Sequence, residues 1–256
     1  MTLVRPVRES ILCGDDELDY LESRTQFTAR KAFELDEAYR LAHLPLIAPA
    51  HPRVIARRAG ALYEMGRHEP FYSLVLPISA NALQDSAAHR TLRAELAASP
   101  FAGKIAWNIV ERRRAKLHAT ICGSRGTGKA PPRLDAAQRE GLARLGPVSV
   151  ELRGLFSGKF NLGRLYFRVY PEKRDGINMF HRIQQVMGRR ETSLYVVGVY
   201  NLIDDLDAGE AAALSRLIDR WWDKPILRFE ADALWLLGAN DDLVLESTVV
   251  ETLSLT

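Results

Sequence analysis

Lys116-Leu117-His118-Ala119-Thr120-Ile121-Cys122 alternates apolar and polar side chains. Side chains of a strand point to opposite faces in turn, so Leu117, Ala119 and Ile121 face a core while His118 and Thr120 share the other face. An imidazole that titrates near neutrality beside a hydroxyl suits general acid–base work on a phosphate ester. His-x-Thr is a short pattern that also arises by chance, so its surroundings decide its meaning. Cys122, on the strand's flank, reads as a small buried hydrophobe rather than a nucleophile.

Outward from this strand, the spacing of apolar residues predicts a mixed α+β chain with antiparallel-rich sheets. Upstream it predicts a strand over 71–79, a helix over 85–98 and a strand over 104–110. Downstream come a loop over 123–132, a helix over 134–145, strands over 148–156 and 163–170, and a helix over 177–187. A strand over 193–201, a helix over 207–222 and two long strands over 226–237 and 243–253 close the chain. The order strand–helix–strand–strand follows His118 and recurs after Ser193, a duplication of element order and not of residue identity.

Before residue 70 the texture differs. Residues 1–25 are polar and acidic and read as loosely attached. Phe27, Phe33, Leu35, Ala38 and Leu41 predict an amphipathic helix over 26–44 that Pro45, Pro49 and Pro52 end. A second helix is expected over 52–65, stopping at Gly66, and its string resembles the first helix of a tetratricopeptide repeat. Such repeats need about three stacked copies to bury their faces, and no second copy is present. The expectation is a helical extension over 1–69, packed as a hairpin on a main domain over 70–256, with its helices as the place for a protein partner.

The chain has 256 residues, 47% hydrophobic and 26% charged, which is ordinary for a globular protein with a sizeable core. A net charge of +3 neither announces nucleic-acid binding nor repels a phosphate. No run reaches the roughly 18 apolar residues of a membrane span. Met1-Thr2-Leu3-Val4-Arg5-Pro6 lacks the apolar stretch of a signal peptide, so a cytoplasmic location is expected. Two cysteines, Cys13 and Cys122, are too few for a disulfide framework or a cysteine-built metal site. His43, His51, His68 and His89 lack ligand spacing, so neither a metal nor a cofactor is expected.

With its opening strand and helix, Trp107, the run Leu117-His118-Ala119-Thr120-Ile121, and Phe229–Leu237 placed as a penultimate strand, the chain resembles the 2H phosphoesterase superfamily over about residues 70–255. That superfamily includes bacterial RNA 2′,3′-cyclic phosphodiesterases. The resemblance implies a bilobal fold with two pseudo-symmetric antiparallel sheets around a cleft. It implies one His-x-Thr strand from each lobe, catalysis without a metal, and an RNA end or nucleotide as ligand. His118 would be the acid or base and Thr120 would hold phosphoryl oxygens. The second motif should fall near 193–201, but Leu194-Tyr195-Val196-Val197-Gly198-Val199-Tyr200 has no histidine or threonine there.

In one register Tyr195, Val197 and Val199 face the cleft; in the other Val196, Gly198 and Tyr200 do. Neither supplies a base at pH 7, because a phenol titrates near pH 10. His181, on a helical segment upstream, is a poor substitute. Two functions follow: a phosphodiesterase acting on a 2′,3′-cyclic phosphate with one intact motif, or a catalytically degenerate nucleotide- or RNA-binding domain. In the second, Tyr195 or Tyr200 stacks on a base.

Gly123-Ser124-Arg125-Gly126-Thr127-Gly128-Lys129-Ala130 is one residue short of a P-loop. Ala130 stands where the magnesium-holding hydroxyl belongs, and Pro131 and Pro132 interrupt the helix that should follow. An NTPase is excluded, while Arg125 and Lys129 remain candidate phosphate contacts. The basic run Glu111-Arg112-Arg113-Arg114-Ala115-Lys116 reads as a solvated loop or as steering for a phosphate. Lys159, Arg164 and Arg168 add positive charge on neighbouring strands.

Overall fold

Period-two alternation of apolar residues builds most of this molecule. The computed structural model describes residues 10–128 and 130–256, without the side chain of Arg125. Residues 1–9 and Lys129, one of the expected phosphate contacts, lie outside the described residues, as does the Arg125 side chain. The strands are β1 (Arg67–Pro77), β2 (His118–Thr127), β3 (Val148–Ser157), β4 (Arg164–Pro171), the short β5 (Lys173–Arg174) and β6 (Ile177–Asn178), β7 (Val196–Asn201), β8 (Pro225–Ala231), β9 (Ala233–Asp241) and β10 (Ser247–Ser254). The helices are α1 (Tyr20–Ser23), α2 (Glu37–Ala42), α3 (Leu44–Ile47), α4 (Ala80–Asp85), α5 (Ala87–Ala97), α6 (Trp107–Arg113), α7 (Ala136–Leu145), α8 (Met179–Val186) and α9 (Ala208–Trp221).

Eight strands form one sheet in the order β10-β9-β1-β2-β7-β4-β3-β8, and β5 pairs with β6 separately. Every pairing is antiparallel. The sheet is curled, for a covalent reason. The edge strand β8 and the next-to-edge strand β9 lie at opposite ends of that order, yet only Asp232 separates them. One intervening residue spans about 7 Å at most, so the two ends must meet. The Leu255 amide donates to the Asp232 carbonyl at 2.7 Å and pins the chain end to this junction.

One face of the sheet is the core. Leu74, Leu76, Ala119, Ile121, Leu165, Phe167, Val197 and Val199 are all buried, and α5, α6, α8 and α9 pack against strands of this sheet. Each such large apolar side chain stabilises the fold by about 1.5–3 kcal/mol. The alternate positions on the same strands line a cavity on the other face.

Several expectations change here. Residues 104–110 form a 3₁₀ turn and the start of α6, not a strand. Ile109, Val110 and Arg113 are buried while Glu111, Arg112 and Arg114 are exposed, which is one face of a helix and not a pleat. The basic run is therefore not simply a solvated loop. The strand expected over 226–237 breaks at Asp232 into β8 and β9, and β2 continues to Thr127 through the expected loop.

Among the described residues, the expected N-terminal helical hairpin does not form. Residues 52–66 form turns joined by the bridge Arg57–Glu64, with Gly60 and Gly66 both at left-handed φ. Of the helix expected over 26–44, only α2 and the start of α3 form. From residue 10 on, the segment before β1 is not loosely attached. Cys13, Leu18, Tyr20, Phe33, Leu35, Tyr39 and Leu44 join the main hydrophobic core. Tyr20 anchors it, because its hydroxyl lies 2.6 Å from the Val169 carbonyl and 2.8 Å from that of Tyr195, and accepts the Val169 N–H at 2.9 Å.

Candidate functional site

His118 opens β2 just after a 3₁₀ turn over Arg114–Lys116. That turn brings the Lys116 carbonyl to 2.8 Å from His118 Nδ1. A carbonyl only accepts, so Nδ1 carries the proton and Nε2 keeps its lone pair. Burial, helped by the nearby Arg113 and Arg164 guanidiniums against the Lys116 carbonyl, lowers the imidazole to about 4. It is neutral at pH 7. His118 and Thr120 line a cavity of about 300 Å³ together with Ser73, Phe71, Arg164, Tyr166, Val196 and Gly198, as the alternation in the sequence predicted.

The single pair Ala119–Val197 joins β2 to β7. In an antiparallel pair this sets His118 beside Gly198 and Thr120 beside Val196. Val196 and Gly198 thus face the cavity where a second His-x-Thr would stand. Tyr195 does not: it is fully buried, its ring lies edge-on to Phe180 at 4.8 Å, and its hydroxyl bonds the Thr192 carbonyl. Tyr200 also leaves the cavity, turned away at an irregularity in the β4–β7 ladder between Leu165 and Tyr166. Such a bulge re-aims side chains, and Tyr200 packs edge-on to Trp107 with its hydroxyl 3.5 Å from His89 Nε2. Neither tyrosine offers a ring to a ligand in this cavity.

Arg164 takes the room that Gly198 leaves. A Cβ at position 198 would lie 2.5 Å from Arg164 Cζ and closer still to Nε and Nη2. Arg164 Nη1 donates to the Asp242 carbonyl at 3.1 Å, while its Nε is buried and has no hydrogen-bond partner among the described residues. Gly163, at φ +121, lets the chain turn into β4, and a side chain there would collide with Leu35 and Tyr39. Arg113, wholly buried, donates from Nη2 to the Gly198 carbonyl at 3.1 Å and from Nη1 to Asn201 Oδ1 at 3.4 Å.

The far wall is acidic. Asp241 Oδ1 accepts the amides of Leu243 and Leu245 at 2.9 and 3.0 Å, and Oδ2 accepts that of Glu246 at 2.8 Å. Asp242 accepts the Tyr63 hydroxyl at 2.9 Å and stands 3.4 Å from His68 Nε2 and 3.7 Å from His43 Nε2. Burial pushes Asp242 up, but His68, His43, Arg164 and Tyr63 outweigh it and carry it down to about 2. His68 is lowered by burial but raised on balance by Asp242 and by the Glu69 carbonyl, 2.6 Å from Nδ1. His43 is driven down to about 3 by burial and by Arg164 and Arg113, against Asp242.

His118 and Thr120 are thus brought together, joined by residues the sequence did not mark as a site. Arg164 was legible only as charge on a strand and Arg113 as part of a surface run. His43, His68, Asp241 and Asp242 were missed, the aspartate pair being readable only as a turn between strands. His181 stays on α8, 3.4 Å from Glu191 and away from this cavity. A second, more open groove of about 600 Å³ adjoins at Thr120 and Leu194, with Arg189 and Arg190 along it. Among the described residues, no group of three or more His, Cys, Asp or Glu is arranged to hold a metal ion, and no helix is long and apolar enough to cross a membrane.

No protein-family model matches the chain. No curated protein matches it either. Among solved structures it is similar to TT0787 of Thermus thermophilus, with 11% sequence identity and a TM-score of 0.34 over 73% of this chain and 97% of that one. At that level of similarity the chemistry of the site rests on its own geometry.

Proposed function

We propose that this chain is a phosphate-ester-binding domain of the 2H phosphoesterase type, which holds a nucleotide or RNA end without rapid turnover. In this reading β10-β9-β1-β2 and β7-β4-β3-β8 are the two sheets of a bilobal fold, meeting at Ala119 and Val197. The observation that carries it is the altered β7 face: Val196 and Gly198 stand where a second acid–base pair is needed. A positioned acid or base contributes about 10²–10⁴ in rate, roughly 3–5 kcal/mol of barrier. A histidine held near 4 is also a weak base at neutral pH. What remains is suited to binding: a hydroxyl, a neutral imidazole and a guanidinium around one cavity. Phe71, stacked on His68, and Tyr166 add aromatic residues to the lining, and a base stacked on an aromatic ring gains about 1–3 kcal/mol.

The test is ligand-induced thermal shift in EDTA across 2′,3′-cyclic nucleotides and nucleotide 2′- and 3′-monophosphates, beside a turnover assay. Stabilisation without product, lost in His118→Ala and Thr120→Val, is expected. No shift with any phosphate ester would overturn the reading. A second reading, a slow cyclic phosphodiesterase with His118 as base, is favoured by the free Nε2 beside Thr120. Product formation by the native chain, abolished in His118→Ala, would establish it instead.

A further inference from the structure

A phosphorylated end has two charge states near pH 7: a cyclic or internal diester carries one negative charge, and a terminal monoester carries close to two. Four features of this cavity discriminate between them. Arg164 fills the space above Gly198, beside His118 across the β2–β7 pair, so a guanidinium stands where a neutral hydroxyl is expected. Its Nε–H is buried and unpartnered among the described residues. Arg113 sets a second guanidinium behind the same strand, on the Gly198 carbonyl.

The two carboxylates in the cavity wall are committed elsewhere. Asp241 accepts three backbone amides. Asp242 holds Tyr63 and stands against His68 and His43. A strut tying β4 to the β9–β10 turn would account for Arg164 Nη1 on the Asp242 carbonyl. It would not account for the unpartnered Nε–H, nor for a glycine at 198.

Resting on the phosphate-ester reading above, we infer that the ligand is a phosphomonoester bound as its dianion. One phosphoryl oxygen accepts from the Arg164 guanidinium and another from the Thr120 hydroxyl. Hydroxyl donors alone suit a monoanion; a guanidinium adds a charge-assisted bond that strengthens with ligand charge.

The experiment is calorimetric titration of the full chain at pH 7.5 with adenosine 3′-phosphate, its methyl diester and adenosine 2′,3′-cyclic phosphate, repeated with the uridine series. The monoester should bind about tenfold or more tightly than either diester, the effect of one added charge-assisted hydrogen bond. In Arg164→Gln, shown to be folded by circular dichroism, the monoester should lose more affinity than either diester, so that the preference disappears. If the variant does not fold, the native panel decides alone. Diesters bound as tightly as the monoester by the native chain would overturn the inference and leave the phosphate-ester reading standing. Binding of none of the three would overturn both. A preference that survives in Arg164→Gln would remove Arg164 as its source and overturn the inference as stated.

Discussion

Gly198 and Arg164 share one volume: any side chain at 198 would displace the guanidinium that stands beside His118. Replacing the glycine therefore acts on the site before it acts on the fold. Gly198→Ala should weaken binding of a 3′-nucleotide by about tenfold, the loss of one charge-assisted hydrogen bond. It should cost about 1–3 kcal/mol of stability through overpacking, and Arg164→Ala in the same chain should recover most of that cost. Urea denaturation of the two single variants and the double reads the coupling. An unchanged affinity in Gly198→Ala would show that Arg164 does not touch the ligand.

Rebuilding the second motif is the converse experiment. The β2–β7 register calls for histidine at 196 and threonine at 198, with Arg164→Ala to make room. If the fold is of the 2H type, the triple variant should hydrolyse a 2′,3′-cyclic nucleotide at least about 10²-fold faster than the native chain. A folded triple variant without that gain would count against the 2H reading of β7.

Acid should destabilise the protein through its buried imidazoles. His43, His89 and His118 are lowered from 6.5 to about 3, 4 and 4, in each case chiefly by burial. An unfolded chain takes up these protons first as pH falls below 6.5, so stability is lost from there down to about pH 4. His68 is raised and works in the opposite sense, its contribution present at low pH and lost as pH rises through its folded value. Below pH 6.5 His68 is protonated in the folded and unfolded chain alike, so the balance there approaches three protons, each contributing about 1.4 kcal/mol per pH unit at most. Urea midpoints at pH 7, 6 and 5 should fall steadily, and His89→Gln should flatten the slope by about one proton. A flat profile would mean that these histidines are not buried as described.

Tyr20→Phe removes a hydroxyl that serves the backbone of β4 and of Tyr195, just before β7. Leaving buried peptide groups without a partner costs about 1–3 kcal/mol. A loss in that range by urea denaturation, with nucleotide binding kept, is expected. No change would show that the segment before β1 is not held at this point.

The alternation over 116–122 was enough to place His118 and Thr120 on one face and Leu117, Ala119 and Ile121 in the core, because a strand's side-chain period is a local property. The apolar patterns downstream located β3, β4, β7, α7, α8 and α9 for the same reason. Local pattern failed where a partner decides the outcome. The apolar run at 104–110 became a turn and a helix once Arg113 was buried under β7. The 26–66 stretch, helical in composition, spends its aromatic residues on the sheet instead. Which face of β7 meets the cavity depended on its pairing at Ala119 and on the irregularity that turns Tyr200 away. A one-residue slip inverts every side chain, and only the neighbouring strand settles that register. The assembly of Arg113, Arg164, His68 and Asp242 with His118 joins residues from α6, β4, β1, β2 and the turn after β9. Only the curled sheet, closed by the single residue Asp232, brings them together, with Arg113 behind β7 and the others lining the cavity.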